Sequence, residues 1–514
     1  MKRKSLWILS SIGVLCCACQ GAEVEKVCTP YQDGMEIQKT TKQTPKSYAS
    51  LTYDVMAHDG ENADEVMPIG GFYCPYSSGG SIDGHQLPDF LTDKVFQQLE
   101  DCGINMFVYS IDTWDSNGGN NKAVELSLEL AEKHHIGEFV NSGYIQAQLG
   151  GHTTPVAVSD MDVKVGEKNQ TLIDLVDTIS KNGTRKSFLG FHAMDEAFEN
   201  QLPSIGAFSQ CFNDLPNRGD YDLFYNVLGS WEGEFNFYGY GSPMTYEDYV
   251  KQFFANSHAK MLSATQYPFT SAETPENQLT TLLFNQLALY RKVANDYSVP
   301  QWRMLQAGGQ WNDEQNWIPS VDPYPSEGEL LFDVNMSLAY GAKAIQYFPL
   351  IQPLYFAYKT GHTYDFENRC GLIGADGNLT RWYYYAKRAN TQIRAIDHVL
   401  MKSASEGILV HGKTANEYIV EKGNPQDSVL PGSSYRELQN IEGDDCVVGC
   451  FDYQGGSAFY VVNYQRDKKA EANLTFDSSK YAYTVTQRGV SSKVVGNYVP
   501  LRLDAGEAAL IVLD

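Results

Sequence analysis

Short apolar segments alternate with amphipathic segments from about residue 66 to residue 348 of the chain. The apolar segments have the length and composition of buried strands, and the amphipathic segments repeat apolar side chains every three or four residues, as helices do. The strands that this pattern predicts are 67–73, 106–110, 137–141, 188–193, 234–238, 261–267, 302–306 and 344–348. The predicted helices are 91–101, 123–133, 245–256, 278–296 and 327–340, and Thr245 is placed to cap the third of them.

Strands that are separated by helices need crossover connections, which makes neighbouring strands parallel. Eight such units predict an α/β fold, a closed (β/α)₈ TIM barrel. The alternative is an open doubly wound sheet, which would show a glycine-rich phosphate turn after its first strand if it bound a nucleotide. Gly70 and Gly71 lie inside the first predicted strand and open no helix, so the barrel is favoured.

A different pattern follows the last long predicted helix, 378–402. Segments such as 417–420, 457–462 and 508–513 read as strands, with Gly, Asn and Asp between them and no amphipathic helix. This pattern is typical of an all-β sandwich. The sequence therefore predicts a barrel over residues 51–403 and a small all-β sandwich domain over residues 404–514, which covers one side of the barrel or binds carbohydrate as an accessory module.

The first residues carry a targeting signal. Lys2, Arg3 and Lys4 precede an apolar stretch, 6–18, that is too short to span a bilayer, so residues 1–19 read as a signal peptide. Ala18–Cys19 resembles the lipidation motif of bacterial lipoproteins, and Cys19 is the expected lipidated residue; an ordinary cleaved signal peptide is the alternative. Residues 20–50 are polar and read as a linker. We therefore expect an exported bacterial lipoprotein, anchored in the outer membrane or at the cell surface.

Charge and cysteine usage narrow the expected partners. The chain has 39 Lys and Arg against 63 Asp and Glu, a formal net charge of −24, so it repels phosphate backbones and no nucleic acid is expected as a partner. The cysteines after Cys19 are widely scattered, in neither a zinc-ligand pattern nor a dense disulfide framework. Cys446 and Cys450 are either a pair or two free buried thiols. We expect no metal ion and no cofactor.

The clearest candidate chemistry follows the fourth predicted strand, as Met194-Asp195-Glu196. In a barrel of this kind the active site lies at the carboxyl ends of the strands. Two adjacent carboxyls raise the pKa of one of them, as a general acid requires near neutral pH. Strand alternation sends Asp195 and Glu196 in opposite directions, and we expect Glu196 to point into the opening at the carboxyl ends of the strands. A helix cap or a solvated loop pair is the alternative interpretation.

The segment 188–196, Phe-Leu-Gly-Phe-His-Ala-Met-Asp-Glu, resembles the strand-four segment of (β/α)₈-barrel glycoside hydrolases. A second segment, 327–348, resembles uncharacterised barrels of this type from gut bacteria, and the layout of leader, barrel and β-sandwich is similar too. The resemblance implies that Glu196 is the acid/base. It also implies that Asp195 stands where the large clan of these hydrolases commonly has Asn.

The resemblance also implies a second Glu at the end of strand seven in retaining members, and Gln306 stands there instead. The candidates for a second carboxylate are therefore Asp313, Glu314 and Asp112. An inverting or a substrate-assisted mechanism stays open, as does a barrel that binds sugar without cleaving it.

Aromatic and amide side chains are concentrated at or just past the predicted strand ends. Flat rings stack on the apolar face of a pyranose, and neutral amides bond its hydroxyls. The predicted substrate-binding residues are Tyr73, Trp114, Asn141, Tyr144, Tyr238, Tyr267, Gln306, Trp311 and Tyr347. His134-His135 precedes strand three at the opposite end and reads as a helix-end pair. His192 lies inside strand four and is either a bonding partner below Glu196 or a satisfied core histidine.

The favoured interpretation is a glycoside hydrolase that acts on a poly- or oligosaccharide outside the cytoplasm. The carbohydrate is its expected partner, and a lipid anchor at Cys19 its expected link to the membrane. The alternative is a surface glycan-binding protein built on a degenerate hydrolase barrel. A different barrel hydrolase, such as an esterase or deacetylase, is disfavoured because the sequence has no nucleophile elbow and no dense cluster of His and Asp.

Overall fold

Eight parallel strands form a closed barrel in the computed structural model of the chain. The structure describes residues 50–77, 81–82, 85–86, 88–115, 118–151, 154–230, 244–269, 274–308, 311–313, 318–319, 325–353, 369–477 and 482–513. The barrel strands are β1 (Ile69–Phe72), β2 (Met106–Tyr109), β3 (Gly137–Ser142), β4 (Phe188–Asp195), β5 (Asp222–Val227), β6 (Leu262–Thr265), β7 (Gln301–Gln306) and β8 (Ala344–Phe348). Each pairs in parallel with the next, and β8 pairs with β1, which closes the barrel and confirms the predicted fold class.

Helices follow the strands around the outside of the barrel. They are α1 (Asp93–Asp101), α2 (Asn121–Lys133), α3 (Gly143–Leu149), α4 (Gln170–Ile179), α5 (Leu202–Asn213), α6 (Tyr246–Ser257), α7 (Asn285–Tyr297), α8 (Glu327–Ala339) and α9 (Arg381–Leu400). The predicted cap of α6 is confirmed, because the Thr245 side chain accepts a hydrogen bond from the Asp248 amide. A short helix, Glu276–Leu279, and a π-helical turn, Thr280–Phe284, lead into α7.

The fifth strand corrects the sequence prediction. We expected it at 234–238, which lies outside the described residues, whereas the fifth strand of the barrel is β5. β5 begins with a buried Asp222, a poor sign of a strand in sequence. Its carboxylate lies 2.6 Å from Lys260 and 3.2 Å from Arg218, and these two cations compensate its burial.

The barrel interior is filled by large apolar side chains, so the barrel is a packed core and not a pore. The buried residues of this layer include Met106, Phe139, Leu189, Phe224, Met261, Trp302 and Met304. Val55, Met56 and Val66, from the segment before β1, belong to the same cluster and close the amino-terminal end of the barrel. The carboxyl end, which we call the mouth, is therefore the end available to a ligand.

Antiparallel strands follow α9. They are β9 (Ser403–His411), β10 (Leu438–Gly443), β11 (Cys446–Tyr453), β12 (Gly456–Asn463), β13 (Ala470–Phe476), β14 (Ala482–Gln487), β15 (Val490–Val495), β16 (Tyr498–Leu503) and β17 (Ala508–Leu513). β9, β11, β12, β17, β14 and β15 form one sheet, and β10, β13 and β16 form the other. Apolar side chains from both sheets make one buried cluster between them, as in a sandwich.

The strand predicted at 417–420 is wrong, because this segment lies in a π-helical turn, Asn416–Glu421. Its β-branched residues favour a strand, but a hydrogen bond from the Asn416 side chain to the Gly412 carbonyl fixes a helical turn there. The other two predicted segments, 457–462 and 508–513, lie in β12 and β17.

The larger sheet also packs against the barrel. Tyr460 and Leu510, on the face turned away from the smaller sheet, share a buried cluster with Phe332 of α8. The Tyr460 hydroxyl donates to Asn335 of α8 over 2.7 Å. This sheet therefore has apolar contacts on both faces.

The described cysteines are free thiols, which decides the alternative left open for Cys446 and Cys450. They are Cys74, Cys102, Cys211, Cys370, Cys446 and Cys450, and all are buried. Among the helices described, none combines the length and the apolar character that crossing a membrane requires.

Candidate active site

Asp195 and Glu196 lie together at the carboxyl end of β4, in the mouth of the barrel. The pairing of β4 with β5 shifts register after His192, so that Met194 lies beside Tyr225 and Asp195 beside Asn226. This bulge interrupts the alternation from which the sequence prediction started. It places Asp195 over the barrel interior, next to Asn226.

Glu196 turns the chain out of the strand. Its backbone has φ of 51°, in the left-handed region, and its amide donates to the Asn226 carbonyl over 2.9 Å. The Tyr249 hydroxyl holds the next residue by donating to the Ala197 carbonyl over 2.6 Å. Only 8% of Glu196 is exposed. A non-glycine residue in this conformation costs of order 1–3 kcal/mol and is found where the surrounding structure requires it, often at functional sites.

A chain of hydrogen bonds inside the barrel fixes Asp195. Gln346 of β8 donates to the Ser263 hydroxyl over 3.0 Å, and Ser263 of β6 donates to the Asn226 side-chain oxygen over 2.9 Å. The Asn226 amide nitrogen then donates to Asp195 Oδ1 over 3.0 Å and also to Thr265. Because the Asn226 oxygen already accepts from Ser263, its nitrogen must face Asp195. We call Gln346, Ser263 and Asn226 the interior relay.

The carboxyl group of Asp195 favours its neutral form. Burial raises the pKa of Asp195 well above its usual range, and the charge of Glu196 raises it further. The hydrogen bond from Asn226 opposes this shift but does not cancel it. The two carboxyls therefore titrate as a pair, which holds a proton at pH values where an exposed carboxyl has lost it.

Tyr267 lies close to both carboxyls. Burial raises the pKa of the Tyr267 hydroxyl well above its usual range, and Glu196 and Asp195 raise it further, so this hydroxyl stays protonated. Its ring lies 5.4 Å from the ring of Phe348. Tyr73, at the end of β1, contacts Phe348 at 5.6 Å and Tyr109 at 5.5 Å. Aromatic rings at or just past the ends of β1, β2, β6 and β8 thus meet in the mouth, and contact of Tyr73 and Tyr267 with a sugar stays a prediction.

His192 is a core residue below the mouth. Its ring contacts Tyr109 at 5.0 Å, Phe72 at 5.5 Å and Phe224 at 5.8 Å. Burial lowers the pKa of His192 to about 3, so the imidazole is neutral. Within the described part of the chain its Nε2 has no hydrogen-bond partner, so the imidazole is not fully satisfied and this nitrogen does not bond Glu196.

Asp112 reaches the mouth, but its carboxylate is already committed. Ser77 donates to it from both its amide and its hydroxyl over 2.6 Å, and the Asn120 side chain donates over 2.7 Å. These bonds tie the loop after β1 to the loop after β2. The geometry therefore favours a structural role for Asp112 over the predicted role as second carboxylate.

Two predicted sugar contacts occupy other positions. Tyr347 faces outward from β8 and is fully buried, and its hydroxyl donates to Asn390 of α9 over 2.7 Å, so its predicted place in the mouth is wrong. Gln306 ends β7, but its amide nitrogen donates to the carbonyls of Phe269 and Gly308, and its oxygen accepts from the Phe269 amide. Gln306 thus joins the loops after β6 and β7.

Three predicted sugar contacts lie at or just beyond the ends of β2 and β3. Asn141 is buried and donates to the Ser110 carbonyl. Trp114 and Tyr144 are half-buried, and the Tyr144 hydroxyl lies 3.1 Å from the Asn169 side-chain nitrogen. Contact of these three residues with a sugar stays a prediction.

The remaining predicted residues lie outside what the structure describes. Glu314, Tyr238 and Cys19 are not among the described residues. Asp313 and Trp311 belong to a short strand, Trp311–Asp313, of which only the backbone is described. The second carboxylate therefore stays a prediction over Asp313 and Glu314.

The sequence prediction missed Asn226 and Ser263 of the interior relay. Asn226 appears in the sequence as one polar residue within an apolar run, and Ser263 is one of several polar residues in the sixth predicted strand; both patterns are common in strands. The sequence signal for Asn226 was an amide inside an apolar run, since a buried amide needs hydrogen-bond partners. The strand that contains it was not predicted, so this signal was not used.

Fold and site together define a (β/α)₈ barrel that carries a carboxyl pair at the end of its fourth strand and is followed by a β-sandwich. No protein-family model and no curated protein matches the sequence. Among solved structures, the chain is similar to a GH42 beta-galactosidase from G. stearothermophilus, with 8% identity and a TM-score of 0.53 over 91% of this chain and 100% of that one.

Two further structures are similar over most of their length. A glycoside hydrolase family 30 xylanase from Clostridium acetobutylicum has 10% identity and a TM-score of 0.41 over 91% of this chain and 97% of that one. An alpha-amylase from Anoxybacillus has 9% identity and a TM-score of 0.45 over 88% of this chain and 99% of that one. At 8% identity, the likeness to the GH42 beta-galactosidase is one of fold.

Proposed function

We propose that the chain is a glycoside hydrolase that cleaves glycosidic bonds of a poly- or oligosaccharide outside the cytoplasm, with Glu196 as general acid/base. The observation that carries this proposal is the pair of Asp195 and Glu196 at the end of β4, where burial and the charge of Glu196 raise the pKa of Asp195, so that the pair holds a proton. The fold that the chain shares with solved glycoside hydrolases supports the same class.

In this account Glu196 gives its proton to the glycosidic oxygen as the bond from that oxygen to the anomeric carbon breaks. Asp195, whose pKa is raised, stays neutral beside Glu196, while Glu196 takes up the proton that it gives to the leaving group and later acts as the base. The interior relay holds Asp195 in place, and Tyr267 and Tyr73 offer rings and hydroxyls to the sugar. The carboxylate of Asp313 or Glu314 then either activates the water that attacks the anomeric carbon or attacks that carbon itself, forming a glycosyl-enzyme that water hydrolyses.

The leader supports a location outside the cytoplasm. The basic residues at 2–4, the apolar stretch 6–18 and Cys19 fit a lipoprotein signal peptide. We propose that Cys19 carries a lipid and that residues 20–50 tether the barrel to the membrane surface. Radiolabelled palmitate should label the expressed chain and fail to label Cys19→Ser.

The function is tested by release of reducing ends from a panel of plant and mucosal glycans. The purified chain should release sugar from at least one glycan, and Glu196→Gln should reduce this release by about 10²–10⁴-fold. Glu167→Gln is the matched control, because Glu167 is an exposed loop residue, and it should keep full activity. Full activity of Glu196→Gln would disprove the assignment of the acid.

A surface glycan-binding protein is the second candidate. The observation that favours it is Gln306, which occupies the end of β7 and has its amide bonded to the main chain. This candidate predicts that the chain and Glu196→Gln bind the same glycan while neither releases product. Turnover that is abolished by Glu196→Gln would exclude it.

A further inference from the structure

Three side chains with metal-ligand chemistry converge at the amino-terminal end of the barrel, opposite the mouth. His58 belongs to the segment before β1, Glu100 to the last turn of α1, and His135 to the turn between α2 and β3. Each offers one ligand atom, and these three atoms all lie within 4.8 Å of one another. The rings of His58 and His135 lie 4.3 Å apart at an angle of 48°.

Glu100 is held in position by a buried neighbour. His134, which is 4% exposed, lies with Nδ1 2.8 Å from Glu100 Oε2 and with Nε2 2.8 Å from Asp93 Oδ1. The Gln97 side chain also donates to Glu100 Oε2, over 3.1 Å. Both contacts use Oε2, which leaves Oε1 for a ligand. Carboxylates that bind metals are commonly fixed by such outer hydrogen bonds.

Both imidazoles are uncommitted. Within the described ranges, no side-chain hydrogen bond or ion pair engages either His58 or His135; His58 is exposed and His135 half-buried. Carboxylates surround them: Glu61 accepts from the His58 amide over 2.9 Å, and Asp93 lies behind His134 with Lys133 as its partner. Two imidazoles and a carboxylate among further acidic groups favour a divalent cation over an anion.

We propose that His58, Glu100 and His135 bind a divalent transition metal of the zinc class. Imidazole nitrogen with one carboxylate oxygen suits zinc far better than magnesium or calcium, which prefer oxygen ligands. Water would complete the coordination, since the site faces solvent. The site is independent of the proposed hydrolase activity, because it lies at the other end of the barrel.

The metal would hold in place the segment before β1, which closes the amino-terminal end of the barrel. Val55, Met56 and Val66 of this segment pack against the interior layer, and the Tyr53 hydroxyl donates to Asp222 over 3.2 Å. His58 lies on the same segment, whereas its two partners lie on the helical layer. Bound zinc would therefore cross-link the segment to the barrel and stabilise the folded state.

The test uses the full chain stripped of metal by a chelator, then titrated with zinc sulfate by calorimetry. We expect one zinc per chain and no binding of magnesium chloride. His58→Ala and His135→Ala together should abolish this binding, and Glu100→Gln should weaken it about 10–100-fold. His398→Ala, which removes an exposed histidine of α9, is the matched control and should bind zinc as the parent does.

Thermal melts give a second readout. Zinc at 100 times its dissociation constant should stabilise the parent by about 2.7 kcal/mol and leave the double variant unchanged. Circular dichroism checks that the double variant is folded before titration. Absence of stoichiometric zinc binding by the parent, or equal binding by the folded double variant, would overturn the proposal.

Discussion

At the level of single residues, the proposed acid Glu196 adjoins a carboxyl, Asp195, whose pKa is raised. Asp195 is half-buried, accepts one hydrogen bond from Asn226 and lies beside the charged carboxyl of Glu196. Its neutral form is planar like an asparagine side chain and can likewise donate and accept hydrogen bonds, with one donor hydrogen instead of two. Asparagine, the residue that the family resemblance implies at this position, is therefore close in shape to the neutral carboxyl of Asp195.

Asp195→Asn tests this account of the pair. We expect the variant to keep kcat within about tenfold of the parent, because Asn replaces a neutral carboxyl, whereas Asp195→Ala should lose more. The measurement is initial rate against pH on the glycan that the panel identifies. If Asp195→Asn lost as much activity as Glu196→Gln, an ionised Asp195 would be essential and the account of the pair would be wrong.

Asn226→Ala tests the interior relay. Removing the donor should raise the pKa of Asp195 further, since this hydrogen bond is what lowers it. We expect kcat to fall about tenfold and the pH–rate profile to shift, with KM little changed. Ser209→Ala is the control, because Ser209 is a buried polar residue that bonds Tyr225 on the outer side of β5. A change in stability with an unaltered pH profile would limit Asn226 to a structural role.

At the scale of elements, β3 carries a second buried carboxyl, outside the site. Glu138 accepts from the Ser127 hydroxyl of α2 over 2.7 Å, and burial raises its pKa to about 8. In the unfolded chain its pKa is about 4.3. Because the pKa of Glu138 is higher in the folded chain, its protonated form stabilises the fold. This stabilisation is complete below about pH 4 and is lost progressively as the pH rises through 8.

Glu138→Gln should remove the loss of stability that the parent shows as the pH rises, because Gln cannot ionise. We expect the variant and the parent to differ little in thermal stability at pH 4.5, and the variant to be more stable at pH 8 by a few kcal/mol at most. Thermal melts at the two pH values, read by circular dichroism, provide the measurement. An equal difference at both pH values would show that the ionisation of Glu138 is not coupled to folding.

The elements also show what a sequence pattern can and cannot predict. β8 was predicted with its observed bounds, since an apolar run between a capped helix and a turn has one reasonable interpretation. β5 was missed because its first residue, Asp222, is charged, and its partners Lys260 and Arg218 are apparent only in the folded chain.

The sequence predicts the acidic pair but not the interior relay. Asp195 and Glu196 were predicted because neighbouring carboxyls at a strand end are visible in sequence. The relay joins β5, β6 and β8, and its register follows from barrel closure and from the bulge in β4. No local pattern reports contacts between distant strands. Tyr347 was misplaced because alternation does not tell which face of a strand looks inward.

At the scale of the whole molecule, the barrel and the larger sheet of the sandwich share one apolar cluster. Leu510 of β17 and Phe332 of α8 belong to it, and a hydrogen bond joins Tyr460 to Asn335. This continuity indicates that barrel and sandwich unfold together, as one cooperative unit.

Leu510→Ala tests whether the barrel and the sandwich unfold together. Truncation of this buried side chain should cost about 2–5 kcal/mol and lower the melting temperature of the whole chain in a single calorimetric transition. Leu501→Ala, between the two sheets, provides the comparison. Two separated transitions, with only the smaller one moved by Leu510→Ala, would show that the sandwich folds independently of the barrel.

Whether Glu196 supplies the proton to the leaving group is tested by how the activity lost in Glu196→Gln depends on the leaving group. Aryl glycosides of the sugar that the panel identifies provide leaving groups from good to poor. A phenolate that leaves readily needs no proton, whereas a sugar alkoxide does. We predict that Glu196→Gln keeps much of the parent rate on the best leaving group and loses about 10²–10⁴-fold on the poorest. An equal loss on every leaving group would contradict the assignment of Glu196 as the acid.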